Sequence, residues 1–281
     1  MATSRSDRPA PDLPCESGRH EASGHELYWE RCGRASDPAV LFLHHGLGST
    51  RAWKTQLETF ARRGWQAVAY DRWGYGRSSS RPALDLPTFA ADVQDLSSLT
   101  DGLGIGRAAL VGHSDGGTTA LYFAAQFPPR VTALVTVAAH IYLEPAMAPG
   151  MLAIRRIHDH DARFQEGMRR AHGAQAEAVF RNWHDGWLRP ERLDWDMRPM
   201  LGDVRCPTLV IQGEQDEYAS PQHARDLARA VAQGSLWLMP GVGHMAPQDA
   251  PESFNPRVLD FLEPFRRGAD GVEAGSGADV H

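Results

Sequence analysis

With 281 residues, 42% hydrophobic and 23% charged, the chain carries enough apolar material for a sizeable α/β core and lies outside the disordered, collagenous and membrane-spanning composition classes. A formal net charge of -6, with Lys54 the only lysine, gives no electrostatic basis for binding nucleic acid or an anionic membrane. Three cysteines, Cys15, Cys32 and Cys206, are too few and too scattered for a disulfide framework or a zinc site, and fit a reducing, cytoplasmic compartment.

In chain order, residues 1–16 are rich in Pro, Arg, Ser and Asp without the apolar run of a secretory signal, and read as a disordered leader. Glu26 to Cys32 suits an edge strand, and Gly33 to Pro38 a turn. Val40-Leu41-Phe42-Leu43 is a continuous apolar run, as expected of a strand buried on both faces of a parallel sheet. It leads into His44-His45-Gly46-Leu47-Gly48 and then a helix with Trp53, Leu57 and Phe60 at helical spacing. Ala67 to Tyr70 is the next strand, followed by the loop Asp71 to Ser78 and an amphipathic helix from Phe89 to Leu103. The glycines at 102, 104 and 106 precede a strand, whereas a dinucleotide-binding loop must follow one, so they carry no nucleotide site.

The strand Ala108 to Val111 runs straight into Gly112-His113-Ser114-Asp115-Gly116-Gly117, and a helical run continues to Gln126. This is a strand, a tight turn and a helix reading Gly-x-Ser-x-Gly, the sharp turn that exposes a serine hydroxyl at a sheet edge. The residues two before and two after the serine must be small, as Gly112 and Gly116 are. Asp115 fails the same test, because His113 stands two before it. After a strand from Val131 to Ala138, the strand-helix rhythm stops between Ile141 and Asp203. That stretch is helical in tendency, with Met147, Met151 and Ile154 on one face and Phe180, Trp183 and Trp187 on another, and reads as a lid. Two more units follow: strand Thr208 to Ile211 with helix His223 to Val231, then strand Leu236 to Leu238 with helix Glu252 to Phe265. Residues 267–281 have little to bury and read as a disordered tail. The expected division is therefore a core over 17–140 and 204–266 with a helical lid over 141–203.

A serine nucleophile needs a base within hydrogen-bond reach and a carboxylate to orient that base. Both kinds of residue follow successive strands: Glu214, Asp216 and Glu217 after the strand ending at Ile211, and His244 after Gly241-Val242-Gly243. Asp216 is the preferred acid, with Glu217 its main competitor. The backbone N–H groups of Asp115, at the head of the helix, and Leu47, between two glycines, are the expected oxyanion donors. His45, Trp53, His140, Trp183 and Trp187 are candidate substrate contacts. A carboxylate at 115 opposes developing negative charge unless it is directed away, paired with a nearby arginine, or used to hold a substrate amine. His158-Asp159-His160-Asp161 lacks the facing geometry and companion ligands of a metal site, and none is expected.

Taken together, His45-Gly46-Leu47-Gly48, Asp71 to Ser78, Gly112 to Gly116, Gly213 to Asp216 and Gly243-His244 resemble the α/β-hydrolase superfamily from about Glu26 to Phe265. Within it the chain is similar to the capped esterase and carbon-carbon hydrolase branch, including biphenyl-hydrolase-like proteins, where Ser-Asp-Gly-Gly also follows the elbow. It departs from the meta-cleavage carbon-carbon hydrolases in having His113 and Asp115 beside the serine in place of Asn and Met. The resemblance implies an α/β fold with a mostly parallel eight-stranded sheet, helices on both faces and a helical lid. It further implies a cofactor-free serine hydrolase with Ser114, His244 and Asp216 as its triad. The expected substrate is a carboxylic ester of a small, largely apolar or aromatic molecule, with no nucleic acid or membrane partner and a homodimer left open. Carbon-carbon bond or lactone hydrolysis by the same triad is the alternative, and a non-catalytic ligand sensor of the same fold is the alternative from another class.

Overall fold

The computed structural model describes residues 13–145, 147–190 and 194–266. Eight strands form one sheet in the order β1-β2-β4-β3-β5-β6-β7-β8. They are β1 (Cys15–Ala22), β2 (His25–Cys32), β3 (Ala39–Leu43), β4 (Gln66–Asp71), β5 (Ala108–His113), β6 (Val131–Val137), β7 (Pro207–Gly213) and β8 (Gln233–Met239). The first two strands pair antiparallel, as do β2 and β4, and every other pair is parallel.

Apolar runs such as β3 and β5 are buried from end to end because both sheet faces are covered. Alternate residues divide between two cores: Leu41, Leu43 and Leu110 face one, while Val40, Phe42 and Val111 face the other. The first core receives α2 (Ala90–Gly102), α3 (Asp115–Gln126) and α7 (Pro221–Ala230) through Leu96, Leu121 and Leu227. The second receives α1 (Lys54–Ala61) and the helix Pro251–Arg266 through Leu57, Phe60, Phe254 and Val258.

Three features differ from the sequence expectation. The stretch expected to lead in disordered up to residue 16 already enters a strand at Cys15, so β1, and not β2, is the sheet edge. The charged, mostly exposed residues of β1 hide its character, but Ser23-Gly24 between two alternating runs is a hairpin signal, and both residues take positive φ, 50° and 85°. Cys15 and Cys32 are direct cross-strand partners and form a disulfide, so two of the three cysteines are not the free thiols expected. Trp53 is completely buried against Phe42 in the core formed with α1 and does not line the cavity that holds Ser114, which removes it from the substrate contacts.

Between β6 and β7 lie α4 (Met147–His160), α5 (Ala162–His172) and α6 (Ala176–Trp187), followed by a 3-10 turn at Arg198–Asp203. These helices sit over the carboxyl ends of the strands, and their apolar faces join the first core through Met151, Met168, Phe180 and Trp183. Their position places a roof above the loops that follow β3, β5, β6, β7 and β8. Among the described residues no helix is long and apolar enough to cross a membrane.

Candidate active site

Ser114 stands between β5 and α3 with φ 53° and ψ -120°, a conformation that non-glycine residues adopt only when the surroundings impose it. The imposition is visible on both sides. A Cβ at 112 would run into the main chain of Gly116 and Gly117, and one at 116 into the carbonyls of Leu43 and His44. The Ser114 N–H donates to Val137 O at 2.8 Å, which ties the turn to β6. Asp115 is the first residue of α3, so its N–H has no acceptor within the helix.

His244 follows β8, and its Nδ1 lies 3.0 Å from each carboxylate oxygen of Asp216, which follows β7. Asp216 Oδ1 also accepts from the N–H groups of Tyr218 and Ala219, at 2.9 and 3.2 Å. Burial pushes this carboxyl up, but the His244 ring and these donors outweigh it and hold it below the usual carboxylate range. Glu217 engages the main chain instead, its Oε2 accepting from His244 N at 3.2 Å. On the far side, His113 Nε2 donates to His244 O at 2.9 Å. The imidazole is thus fixed through its Nδ1 and its own backbone, and its Nε2 has no hydrogen-bond partner among the described residues. No hydrogen bond joins Ser114 Oγ to this ring here, although both line the same cavity, and such bonds often close only when substrate is bound.

The loop after β3 is held from below. His44 Nδ1 donates to His45 O at 2.8 Å and His44 Nε2 accepts from Arg72 N at 3.1 Å, so this imidazole is a neutral strut. Burial keeps it far below the ordinary histidine value. Leu47 N–H makes only a long 3.4 Å contact, with His45 Nδ1. From above, His172 on α5 donates through Nε2 to Leu47 O at 3.0 Å while its Nδ1 accepts from Gly76 N at 2.9 Å. A helix of the roof is therefore bonded directly to the loop beside the serine.

Asp115 has the partner its position demands. Arg72 Nη2 lies 3.7 Å from its Oδ2, and Trp187 Nε1 donates to its Oδ1 at 3.2 Å. Arg72 also pairs with Asp92 at 3.3 Å, and Arg81 reaches Asp92 at 2.8 Å and Asp85 besides, all but Asp85 nearly solvent-free. Burial raises the Asp115 carboxyl to about 6, with Arg72 and Trp187 opposing the shift. Arg72 is the site residue that sequence reasoning left without a role, although it stands in the Asp71 to Ser78 loop.

A cavity of about 430 Å³ opens over this constellation. It is lined by Ser114, His244, Leu47, Asp115, His45, His140, Trp183 and Trp187, and by Met147, Met151, Ile154, Phe164, Met168, Tyr218 and Met245. Asp216 stands behind His244, out of the lining. Phe164, Met168, Tyr218 and Met245 were not anticipated, although the spacing of Phe164 and Met168 on one face of α5 was readable. His158 turns elsewhere, stacked on Phe180 at 3.7 Å with Asp159 and Glu177 beside its nitrogens.

Sheet order, elbow and roof together define an α/β hydrolase, and the comparisons with known proteins agree. The family model for the alpha/beta hydrolase fold matches residues 38–192. The chain belongs to that family and is a hydrolase of the biphenyl-hydrolase-like branch. It is 30% identical to the serine hydrolase BPHL of Mus musculus over 253 residues, covering 88% of this chain and 86% of that protein. It is 25% identical to the 2-hydroxy-6-oxo-6-phenylhexa-2,4-dienoate hydrolase of Comamonas testosteroni, covering 80% of this chain and 87% of that one. The crystal structure of a hydrolase from Pseudomonas aeruginosa PA01 superposes with a TM-score of 0.70 at 25% identity, covering 90% of this chain and 99% of that one.

Proposed function

We propose that the protein hydrolyses a carboxylic ester of a small, largely apolar or aromatic molecule through an acyl-enzyme on Ser114. The observation that carries this reading is the His244 ring, clamped by Asp216 on the wall of the cavity that also holds the strained elbow serine. In the proposed reaction Ser114 Oγ attacks the ester carbonyl as His244 Nε2 takes its proton, and Asp216 stabilises the imidazolium. The N–H groups of Leu47 and Asp115 receive the oxyanion, Leu47 giving up its long contact with His45. His244 returns the proton to the departing alcohol. A water deprotonated by the same imidazole then attacks the acyl-enzyme, the acid leaves, and the serine is regenerated. Helices α4 to α6 serve as the lid, with His172 their tie to the Leu47 loop.

The cavity chemistry favours an uncharged ester over a dienoate-type carbon-carbon substrate. Among the described residues no lysine or arginine lines the cavity, and its carboxylates, Asp115 and Glu217, would repel a substrate carboxylate. Arg72 does not serve such a group, because it is nearly solvent-free and shared between Asp92 and Asp115. The test is fluorophosphonate labelling with the adduct mapped by mass spectrometry, beside relative kcat/KM for an ester panel, a lactone and a vinylogous diketone. A Ser114 adduct with esters preferred is expected. Undiminished turnover by Ser114→Ala would overturn the reading, and preference for the diketone would move it to carbon-carbon hydrolysis.

A further inference from the structure

His140 lines the same cavity, only 5% exposed, and among the described residues neither of its ring nitrogens has a hydrogen-bond partner. The Tyr218 main chain interacts weakly with the ring and draws its basicity slightly up, without completing a hydrogen bond to either nitrogen. The residue is nonetheless firmly placed. Its carbonyl accepts from Thr118 Oγ1 at 2.8 Å, and two residues earlier Ala138, at φ 50°, donates to Ile211 O at 2.9 Å. Its ring is wedged between Trp187, at 5.7 Å between centroids, and His223, at 5.8 Å. Burial, with the neighbouring imidazoles adding, pushes it down to about 3, so at neutral pH it offers one N–H and one lone pair and no charge.

This imidazole has no part in the proposed transfer of protons between Ser114, His244 and substrate. Covering it with hydrocarbon would strand a buried donor and a buried acceptor, which native structures avoid. A ligand group that both donates and accepts would satisfy it, and a carboxylate or an ammonium would not gain a counter-charge from it. Sheet order fixes where that group lies. The elbow follows β5, the Leu47 loop follows β3 on one side, and His140 follows β6 on the other. We propose that His140 is a specificity-determining residue that binds an uncharged hydrogen-bonding group of the substrate, an amide or a hydroxyl, on the flank of the scissile bond opposite the Leu47 loop. This inference rests on the ester-hydrolase reading and narrows its substrate class.

The test uses butyrate esters with matched polar analogues on each side of the scissile bond. On the acyl side, para-nitrophenyl butyrate is compared with the β-hydroxybutyrate and N-acetylglycinate esters. On the alcohol side, ethyl butyrate is compared with hydroxyethyl butyrate. Each kcat/KM is divided by the hydroxide-catalysed rate of the same ester, which removes intrinsic reactivity. The wild-type enzyme is expected to prefer at least one polar analogue over its parent by about tenfold or more. That ratio should fall to about one in His140→Phe and be partly kept in His140→Gln, which can still donate and accept. The ratio is read, so a general loss of activity cancels, and circular dichroism identifies a variant that has not folded. No polar preference in the wild-type enzyme, or a preference untouched by His140→Phe, overturns the inference while ester hydrolysis stands. Loss of the ester-hydrolase reading is separately visible as undiminished turnover of the parent esters by Ser114→Ala.

Discussion

Asp216 presents both carboxylate oxygens to Nδ1 of His244 at 3.0 Å, whereas the adjacent Glu217 reaches only the His244 main-chain N–H, at 3.2 Å. The two acids therefore differ in what their removal does. Asp216→Asn keeps the shape but replaces the charge that, in the proposed reaction, orients His244 and stabilises its imidazolium. If Asp216 is the acid of the proposed triad, kcat is expected to fall by about 10⁴-fold with KM little altered. Glu217→Gln should cost less than about tenfold, because it changes one hydrogen bond to the backbone. Steady-state kinetics on one ester decides it: equal losses in the two variants would remove Asp216 from its proposed role.

The buried cluster of Arg72, Arg81, Asp92 and Asp115 makes a stability prediction. Each guanidinium is nearly solvent-free, and Asp92 is bonded to both. Arg72→Met would leave Asp115 facing only Trp187 and Asp92 facing only Arg81 among these partners. Breaking one side of a buried ion pair costs about 3–5 kcal/mol, so urea unfolding should shift by that order. Removing the stranded charge as well, in Arg72→Met with Asp115→Asn, should recover part of the loss. A double variant as unstable as the sum of the two single changes would show the residues to be uncoupled.

Much of this was readable because local and global requirements coincide. Continuous apolar runs at 40–43 and 108–111 become central strands, since parallel strands covered on both faces leave no place for polar residues. Gly112 and Gly116 were interpretable singly, since the turn leaves no room for a Cβ at either. What escaped depended on partners distant in the chain. Trp53 and Trp183 look equivalent in sequence, yet one packs beneath the sheet on Phe42 and the other lines the cavity, and only the third dimension separates them. Arg72 and Asp92 are each unremarkable until the fold buries them together. Cys15 and Cys32 lie 17 residues apart, and only the hairpin register makes them partners.

Gly46 and Trp183 set the distance between the Leu47 loop and the roof. A Cβ on Gly46 would collide with the Trp183 indole nitrogen. The ring is nearly buried and belongs to α6, so it cannot yield without moving the helix or the loop. Gly46→Ala is expected to lower kcat by at least about tenfold by displacing the Leu47 N–H. Combining it with Trp183→Leu should restore part of that loss, although Trp183→Leu alone is harmful. Rescue absent from stopped-flow and steady-state rates alike would mean that the loop, and not its contact with the indole, carries the effect.

Acid sensitivity follows from imidazoles buried without charge. His140 is pushed to about 3 and His223 to about 4, mainly by burial, against an ordinary value near 6.5. In the unfolded chain each takes up its proton as pH falls through about 6.5, whereas the folded protein resists until near 3 or 4. Between those limits the unfolded state binds more protons, so stability is complete above about 6.5 and is lost progressively as the solution is acidified. Each such group contributes about 1.4 kcal/mol of lost stability per pH unit in that window. His140→Phe should therefore flatten the dependence of unfolding free energy on pH between about 6 and 4.5 by roughly that slope, whatever it does to stability at pH 7. Urea titrations at several pH values measure it. An unchanged slope would show that His140 takes up its proton at the same pH in the folded protein as in the unfolded chain, and so that burial does not hold the ring uncharged through this window.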